Sequence, residues 1–559
     1  VGIRPAPDSS EVITVNRPSW RALAAALAAG ALVPAVATAD PPVSWTAVPS
    51  QPKLAGTSLP NVLSPELTES AVAWGALTLD GGTTAVPRYG YDGFTAPTVL
   101  TQSTNEAKKT EPDKNTYLVL KGQRGADPGY DYGTHFLFQG HESGAPGYIT
   151  RINLDADQAH RVTLLATTET GGKALPDFDG STWDPFARRL LFTAEASGTT
   201  GGVWAATPGY PSQVVDVSGA LGRGGYEGIQ ADSDGNLWIV EDSGGTSGAV
   251  NTHAKQPNSF VYRFVPAEPG DLANGKLQAL QVVSNRTGTP IVFHAGQADA
   301  DITSPDTLDL HTPGTEFATR WVTIHDTATN GNVPFGANAL AKAAGATPFK
   351  RPENGVFQPG SKLRNFVFTE TGDTNALTEA GSAYGGFGSL QEISQKKPSD
   401  NHGVLRVVFQ GDVAHTGFDN ISFVSRDQVA VGEDAGDLLH SQRNALDSAY
   451  VIDVTRDQAT PVLFLAEGRD PSATFDAEHT TGNDGDNEIT GIHISDGDPT
   501  VKGLLGAEVP TLFRKGWRMF WSQQHGDNTA WEVTPASQDD GDHQEQPGPD
   551  HHGVDANAR

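Results

Sequence analysis

Tyr226-Glu227-Gly228-Ile229 is followed, across a polar turn, by Asn236-Leu237-Trp238-Ile239-Val240-Glu241-Asp242. The same design returns as Phe418-Asp419-Asn420-Ile421 and Gln428-Val429-Ala430-Val431-Gly432-Glu433-Asp434. In each, an acid opens one β-type run, and an acidic pair closes the next, fourteen positions after the first acid. Looser copies are Phe178-Asp179-Gly180 leading to Leu190–Glu195, and Glu353-Asn354-Gly355-Val356 leading to Phe366–Glu370. Earlier, His135–Phe138 runs into Gly140-His141-Glu142; later, Asn487–Gly491 precedes Met519-Phe520-Trp521 and Gln524-His525-Gly526. Self-similarity of this kind marks a repeat architecture. Six irregularly spaced copies predict an all-β, six-bladed β-propeller with long insertions.

Outward from the repeat, Gly, Pro, Asp and Asn punctuate the chain from about 60 to 535. Short β-type runs lie between them, at 117–120, 203–204, 261–264 and 404–409. That is an all-β pattern. Helices are expected only at 339–344, with Asn338 as N-cap, and weakly over 379–392. The insertions at 299–317 and 471–486 are candidate lids over a site. A propeller domain spanning 40–536 accounts for the repeat.

The ends read differently. Arg17 and Arg21 precede Ala22–Ala39, an uncharged run closing in Val36-Ala37-Thr38-Ala39. This predicts a secretory signal peptide cleaved after Ala39, with residues 1–16 as an upstream extension. No pair of adjacent arginines precedes the run. Residues 537–559, rich in Asp, Gln, Gly, Pro and His, are expected to be a disordered acidic and histidine-bearing tail. A periplasmic or secreted monomer without a membrane anchor is expected.

Composition narrows the chemistry. The 559 residues carry 67 acidic and 38 basic side chains, a formal net charge of −29. Nucleic acid and anionic membrane are therefore poor partners, since both select positive surface. With no Cys, thiolate metal sites and Cys nucleophiles are excluded. No nucleophile elbow, Walker loop, zincin helix or EF-hand loop is present.

Radial repetition would carry equivalent acids to one end of a central channel. Crowded carboxylates repel, and must protonate or bind cations. Hard cations suit them, because Ca²⁺ takes six to eight oxygen ligands. Glu227, Glu241, Asp242, Asp419, Asn420, Glu433 and Asp434 offer that chemistry.

The chain also resembles the PhoX-type alkaline phosphatases, from about Gly133 to Asn528. Gly140-His141-Glu142 before Gly147–Arg151, Trp238–Asp242 with Phe260–Val265, and Asp419-Asn420 with Glu433-Asp434 are similar to family elements in order along the chain. The most specific match is Gly345-Ala346-Thr347-Pro348-Phe349-Lys350-Arg351-Pro352-Glu353; Gln523-Gln524-His525-Gly526 resembles the family's close. The resemblance implies a six-bladed propeller whose mouth holds iron and calcium and hydrolyses phosphate monoesters. It implies metal ligation by Glu227, Glu353, Asp419, Asn420 and Asp434, with Glu195 in a segment resembling the family's Thr-Cys-Glu-Glu. Ala194 stands where the family has its cysteine, and Ala196 where it has the second Glu. Several calcium ions are therefore expected rather than iron.

The sequence thus predicts a secreted calcium-dependent phosphatase of small phosphate esters. Glu227 and Glu353 are expected at the reacting centre, and Arg351 as a planar clamp for phosphate. Glu195, Glu241, Asp242 and Glu433 are expected as further ligands or as outer support for them. The alternatives are another calcium-dependent propeller hydrolase, a lactonase or esterase, and a non-enzymatic binding propeller stabilised by calcium.

Overall fold

The computed structural model describes residues 43–53, 59–90, 110–142, 146–196, 200–468, 488–524 and 528–536. The expected signal peptide, the tail and the 471–486 insertion lie outside them. Strands dominate, arranged as antiparallel sheets around a central axis in a propeller-like fold. Two sheets follow the chain directly. One is Pro112–Val119, His135–His141, Ile149–Asn153 and Val162–Ala166; the next is Ser181–Asp184, Arg189–Ala194, Gly202–Ala206 and Val214–Asp216. Later come Phe418–Phe423, Gln428–Glu433, Ser448–Asp453 and Val462–Ala466, with the short Val62–Leu63 on the outer edge.

Among the described residues the sheets number five rather than the expected six. The physical reason is one long strand, Glu316–Asp326, whose two halves pair with different neighbours. Its C-terminal half lies on Gly275–Val282, and its N-terminal half on His402–Gln410. It thereby joins Tyr226–Ala231, Leu237–Glu241, Val261–Pro266 and Gly275–Val282 to His402–Gln410, Ser389–Gln395, Asn365–Glu370 and Pro352–Phe357 in one nine-stranded sheet. Trp238 packs across the join, with ring centroids 5.1 Å from both Trp321 and Phe366.

The expected strands are all present. The helix is Ala337–Ala343, capped by Gly336; Asn338 does not cap it. The Asn338 amide instead donates to Glu241 Oε2 at 3.1 Å and to the Asn258 carbonyl at 2.9 Å. The weak helix over 379–392 is absent. Ser389–Gln395 is a strand held on both sides by neighbours, and pairing of that kind overrides marginal propensity. The 299–317 insertion is not loose: helices Ala298–Ile302 and Pro305–Leu310 fill it, with Ile302 and Leu310 buried.

The last sheet, Glu488–Ser495, Arg518–Gln524 and Thr529–Pro535, takes its outer strand, Leu67–Ala73, from the other end of the chain. Leu67 and Val72 bury their side chains there. Removing residues 59–73 should therefore cost about 3–6 kcal/mol from those two side chains alone, read as an earlier urea midpoint. An unchanged midpoint would show that the closure contributes nothing.

The innermost strands touch around the axis through short polar contacts. Asn115 Nδ2 donates to the Gly491 carbonyl (2.8 Å), and the Thr116 and Ser181 hydroxyls bond at 2.8 Å. Thr182 Oγ1 donates to Gln230 (3.3 Å), Asn354 Nδ2 to Asp419 (2.9 Å), and Asn420 Nδ2 to Thr490 (2.9 Å). The packing leaves no room for larger residues: a Cβ on Gly180 would sit 2.2 Å from the Glu227 carbonyl oxygen.

Candidate metal centre

Four of those inner strands break register at the acid. Pairing is irregular between Pro112 and Asn115, Tyr226 and Ile229, Pro352 and Gly355, and Phe418 and Ile421. A β-bulge re-aims the side chains within it. Here the acids inside are Asp113, Glu227, Glu353 and Asp419. Asp179, just ahead of Ser181–Asp184, holds the corresponding place in its sheet. All five are buried. At the fifth irregularity, between Thr490 and His493, the chain has Gly491 instead of an acid.

Ends of the second strands add an upper tier. Side chains alternate between faces along a strand, and this splits the acidic pairs. Glu241 turns into the wall, accepting from Tyr262 Oη (2.7 Å), Asn338 Nδ2 (3.1 Å) and the Phe260 amide (3.2 Å). Burial pushes its carboxyl up to about 7. Glu433 does the same with both terminal nitrogens of Arg443 (3.0 and 2.9 Å) and the amides of Thr416 and Ser448. Of the two roles expected for Glu241 and Glu433, ligand or outer support, this geometry matches the second. The following residues, Asp242 and Asp434, lie toward the mouth, where both charges act on Arg351. Glu142 and Glu195 follow His141 and Ala194 in the same way.

The two tiers meet at Asp179. Ligand atoms of Asp113, Glu142 and Asp179 lie within 4.8 Å of one another, as do those of Asp179, Glu195 and Glu227. Asp179 is shared, and its Oδ1 is buried with no donor group on it, its side chain meeting only the neighbouring carboxyls of Glu227 and Asp113. Asp419 is held between Asn354 Nδ2 (2.9 Å) and Asn420 Nδ2 (3.0 Å). Glu353 accepts from Thr371 Oγ1 and lies 3.5 Å from Arg351 NH2.

Electrostatics follow from crowding. Desolvation, reinforced by neighbouring carboxylates, holds Glu142, Asp179, Glu227 and Glu353 well above the ordinary carboxylate range. Asp419 is pushed up to about 7 by burial and then by Asp113 and Asp434. Glu195, on the exposed rim, also reaches about 7, from desolvation in the opening and from Asp242. Two cations sit among these acids. Lys114, buried at the floor, donates to Asn420 Oδ1 at 3.3 Å. Arg351 reaches Asp242 Oδ2 with Nε at 2.7 Å.

Every donor in this cluster is a hard oxygen or a nitrogen cation, and the chain has no thiolate to offer. With the orphaned Asp179 oxygen, the residues fit a divalent ion such as calcium. They do not provide the cysteine on which a sulfur-bridged iron pair would depend.

The structure brings Glu195, Glu227, Asp242, Glu353, Asp419, Asn420 and Asp434 to one opening, with Arg351. Asp113, Lys114, Glu142 and Asp179 were not singled out from the sequence. Glu142 and Asp179 lay in plain view within the looser repeat copies. Asp113 and Lys114 sit in Pro112-Asp113-Lys114-Asn115, which has the composition of a turn; the acid fourteen positions on, Asp127, lies in the Gly- and Pro-rich stretch Gly125-Ala126-Asp127-Pro128-Gly129 and not at the end of a β-type run.

Residues 246–501 match the family model for alkaline phosphatase PhoX. The chain is PhoX-like in sequence there, as its motifs suggested. Among solved structures, Pseudomonas fluorescens PhoX in complex with vanadate, a transition state analogue, aligns over 88% of this chain and 98% of its own, at 12% identity and a TM-score of 0.51. That likeness is one of fold, and it agrees with the propeller-like arrangement. A Xanthomonas campestris gluconolactonase, XC5397, aligns over 88% of this chain and 98% of its own, at 10% identity and a TM-score of only 0.35. No curated protein matches the sequence. The family match supports a phosphoric monoester hydrolase, and the structural likeness supports the propeller-like fold.

Proposed function

We propose that the chain is a calcium-dependent phosphatase, acting on small phosphate monoesters at the mouth of a six-bladed propeller, in the periplasm or outside the cell. Six blades follow if the nine-stranded sheet is read as two blades fastened by Glu316–Asp326. The observation that carries the reading is the pair of carboxylate groups sharing Asp179, with its unpaired buried oxygen, in the same opening as Arg351.

Asp113, Glu142, Asp179, Glu195 and Glu227 would hold the metal, with Glu353 and Asp419 beside them. A calcium ion there would supply Lewis acidity toward a phosphoryl oxygen and lower the pKa of a water. The protein's own residues do the positioning. Asp242 on Nε and Glu353 near NH2 fix the plane of the Arg351 guanidinium. A guanidinium has five donors, so the fork keeps N–H groups for phosphoryl oxygens. The Arg351 backbone sits at φ 59°, a left-handed conformation that costs an L residue about 1–2 kcal/mol. The Thr371 amide, donating to the Arg351 carbonyl at 2.9 Å, secures that turn. Asn354 and Asn420 hold the Asp419 carboxylate so that it cannot turn away from the axis. Glu241 and Glu433 anchor the strand ends that carry Asp242 and Asp434.

The test is turnover of p-nitrophenyl phosphate with calcium, after chelation, and in Asp179→Asn. Chelation should abolish turnover, and calcium should restore it. Asp179→Asn should lower calcium affinity and kcat/KM by on the order of a hundredfold or more, beyond what loss of an outer-shell partner does. Turnover indifferent to both would refute the reading. Cleavage of a lactone in place of the phosphate ester would replace it with the other hydrolase.

A further inference from the structure

We propose that an open cavity of about 310 Å³ beside the mouth receives the alcohol half of the ester, and that this alcohol is a sugar-sized polyol. The inference rests on the phosphatase reading and names its substrate class.

Position comes first. One wall is Ala435, Gly436 and Leu438, which follow Asp434 directly along the chain. The lining also includes Lys255, Asp373 and Thr374. Lys255 and Asp373 also line a smaller cleft with Arg351 and Lys350, so the cavity continues toward the guanidinium. The charges acting on Lys255 are those of Arg351, Asp242, Asp373 and Glu353. Its ammonium therefore stands between the rim of the acid cluster and the cavity. An ester whose phosphoryl group lies at Arg351 must place its alcohol on one side of the rim, and this is a side with room.

The lining then sets the chemistry. Asp373 is spent: Lys350 Nζ takes both its oxygens at 3.0 and 2.9 Å, with Thr378 Oγ1 at 2.7 Å and the Lys255 amide at 3.0 Å. His253 is paired with Glu379 at 2.8 Å. Among the described residues, no carboxylate lies within 4 Å of the Lys255 ammonium, which leaves it to serve an oxygen of the ligand. Around it are the hydroxyls of Ser247, Thr252 and Thr374 and the amide of Asn375. Such a surface has donors and acceptors for several hydroxyl groups, and among the described residues its lining includes no Phe, Tyr or Trp against which a flat apolar alcohol would stack. The volume is at the small end of ligand sites, which suits one sugar ring.

The test compares glucose 6-phosphate with p-nitrophenyl phosphate on the full chain loaded with calcium. In Lys255→Met and Leu438→Trp, kcat/KM for the sugar ester relative to the aryl ester should fall at least tenfold, through KM. Leu438 is 55% exposed, so the tryptophan narrows the cavity without entering the core. Calcium content and thermal midpoint serve as controls on the fold. An unchanged ratio in both variants overturns the proposal. If the unaltered protein cleaves neither ester, the phosphatase reading fails on its own. Calorimetric titration with glucose 6-phosphate then decides the cavity: binding weakened by Leu438→Trp supports it, and absence of binding overturns it.

Discussion

Stripped of divalent cations, the protein should become less stable as the pH rises from 5.5 to 8.5, and calcium should reverse the trend. Asp419 titrates at about 7 in the folded protein, and Glu142, Asp179, Glu227 and Glu353 lie well above their ordinary values. Unfolded, each returns to about 4. Between those limits the folded state binds more protons than the unfolded chain. A folded pKa raised in this way leaves that stability whole below the unfolded value near pH 4 and removes it progressively as the pH climbs from there through the folded values. Each excess proton contributes about 1.4 kcal/mol per pH unit, so a single group over two units already amounts to about 3 kcal/mol. Calcium competes with those protons and binds better as they leave, so the loaded protein should hold or gain stability over the same range. Urea midpoints at three pH values, with chelator and with calcium, measure both slopes. A flat profile in chelator would mean that the carboxylates are not crowded as the structure places them.

How much of this was readable beforehand depends on which interactions are local. The fourteen-residue spacing correctly paired Tyr226–Ala231 with Leu237–Glu241 and Phe418–Phe423 with Gln428–Glu433, because each is a hairpin. It could not separate the two acids of a pair. Glu241 and Asp242 look alike in sequence, and only strand alternation and distant partners decide between them. Tyr262 and Asn338 claim the first, and Arg351, more than a hundred positions away, claims the second. Asp113 was invisible for a related reason: its neighbours Asp179 and Asp419 belong to other sheets, and the bulge that aims it inward follows from pairing with His135–His141. The joined sheet escaped because only the first two residues of Glu316–Asp326 fall in the 299–317 insertion, and nothing local in the strand says that its two halves pair with different partners far along the chain. Its strand character comes from the two neighbours it bridges.

Replacing Lys114 by methionine should destabilise the chelated protein by about 3–5 kcal/mol at pH 8, and should create a new site for calcium. Lys114 follows Asp113 within its bulge. The matching residues elsewhere are Gly180, Gly228, Asn354 and Asn420, all neutral. Here alone among these positions, a long cationic side chain fills the floor of the cluster. Burial lowers its pKa while Asp113, Asp419, Asp179 and Glu227 favour its charge. Those four carboxylates therefore have a resident cation that needs no metal. Methionine keeps much of the volume and removes the charge, so the acids repel one another or take protons, and the penalty should shrink at pH 5.5, where protons are available. Calcium should rescue the variant more than the parent, because a divalent ion is the other way to neutralise the same oxygens. Calorimetric titration of calcium into chelated protein should then show one more equivalent bound, or at least tenfold tighter binding, than in the unaltered chain. A loss of stability that is the same at both pH values, with no change in calcium binding, would assign Lys114 to packing alone and return the floor of the cluster to the metal.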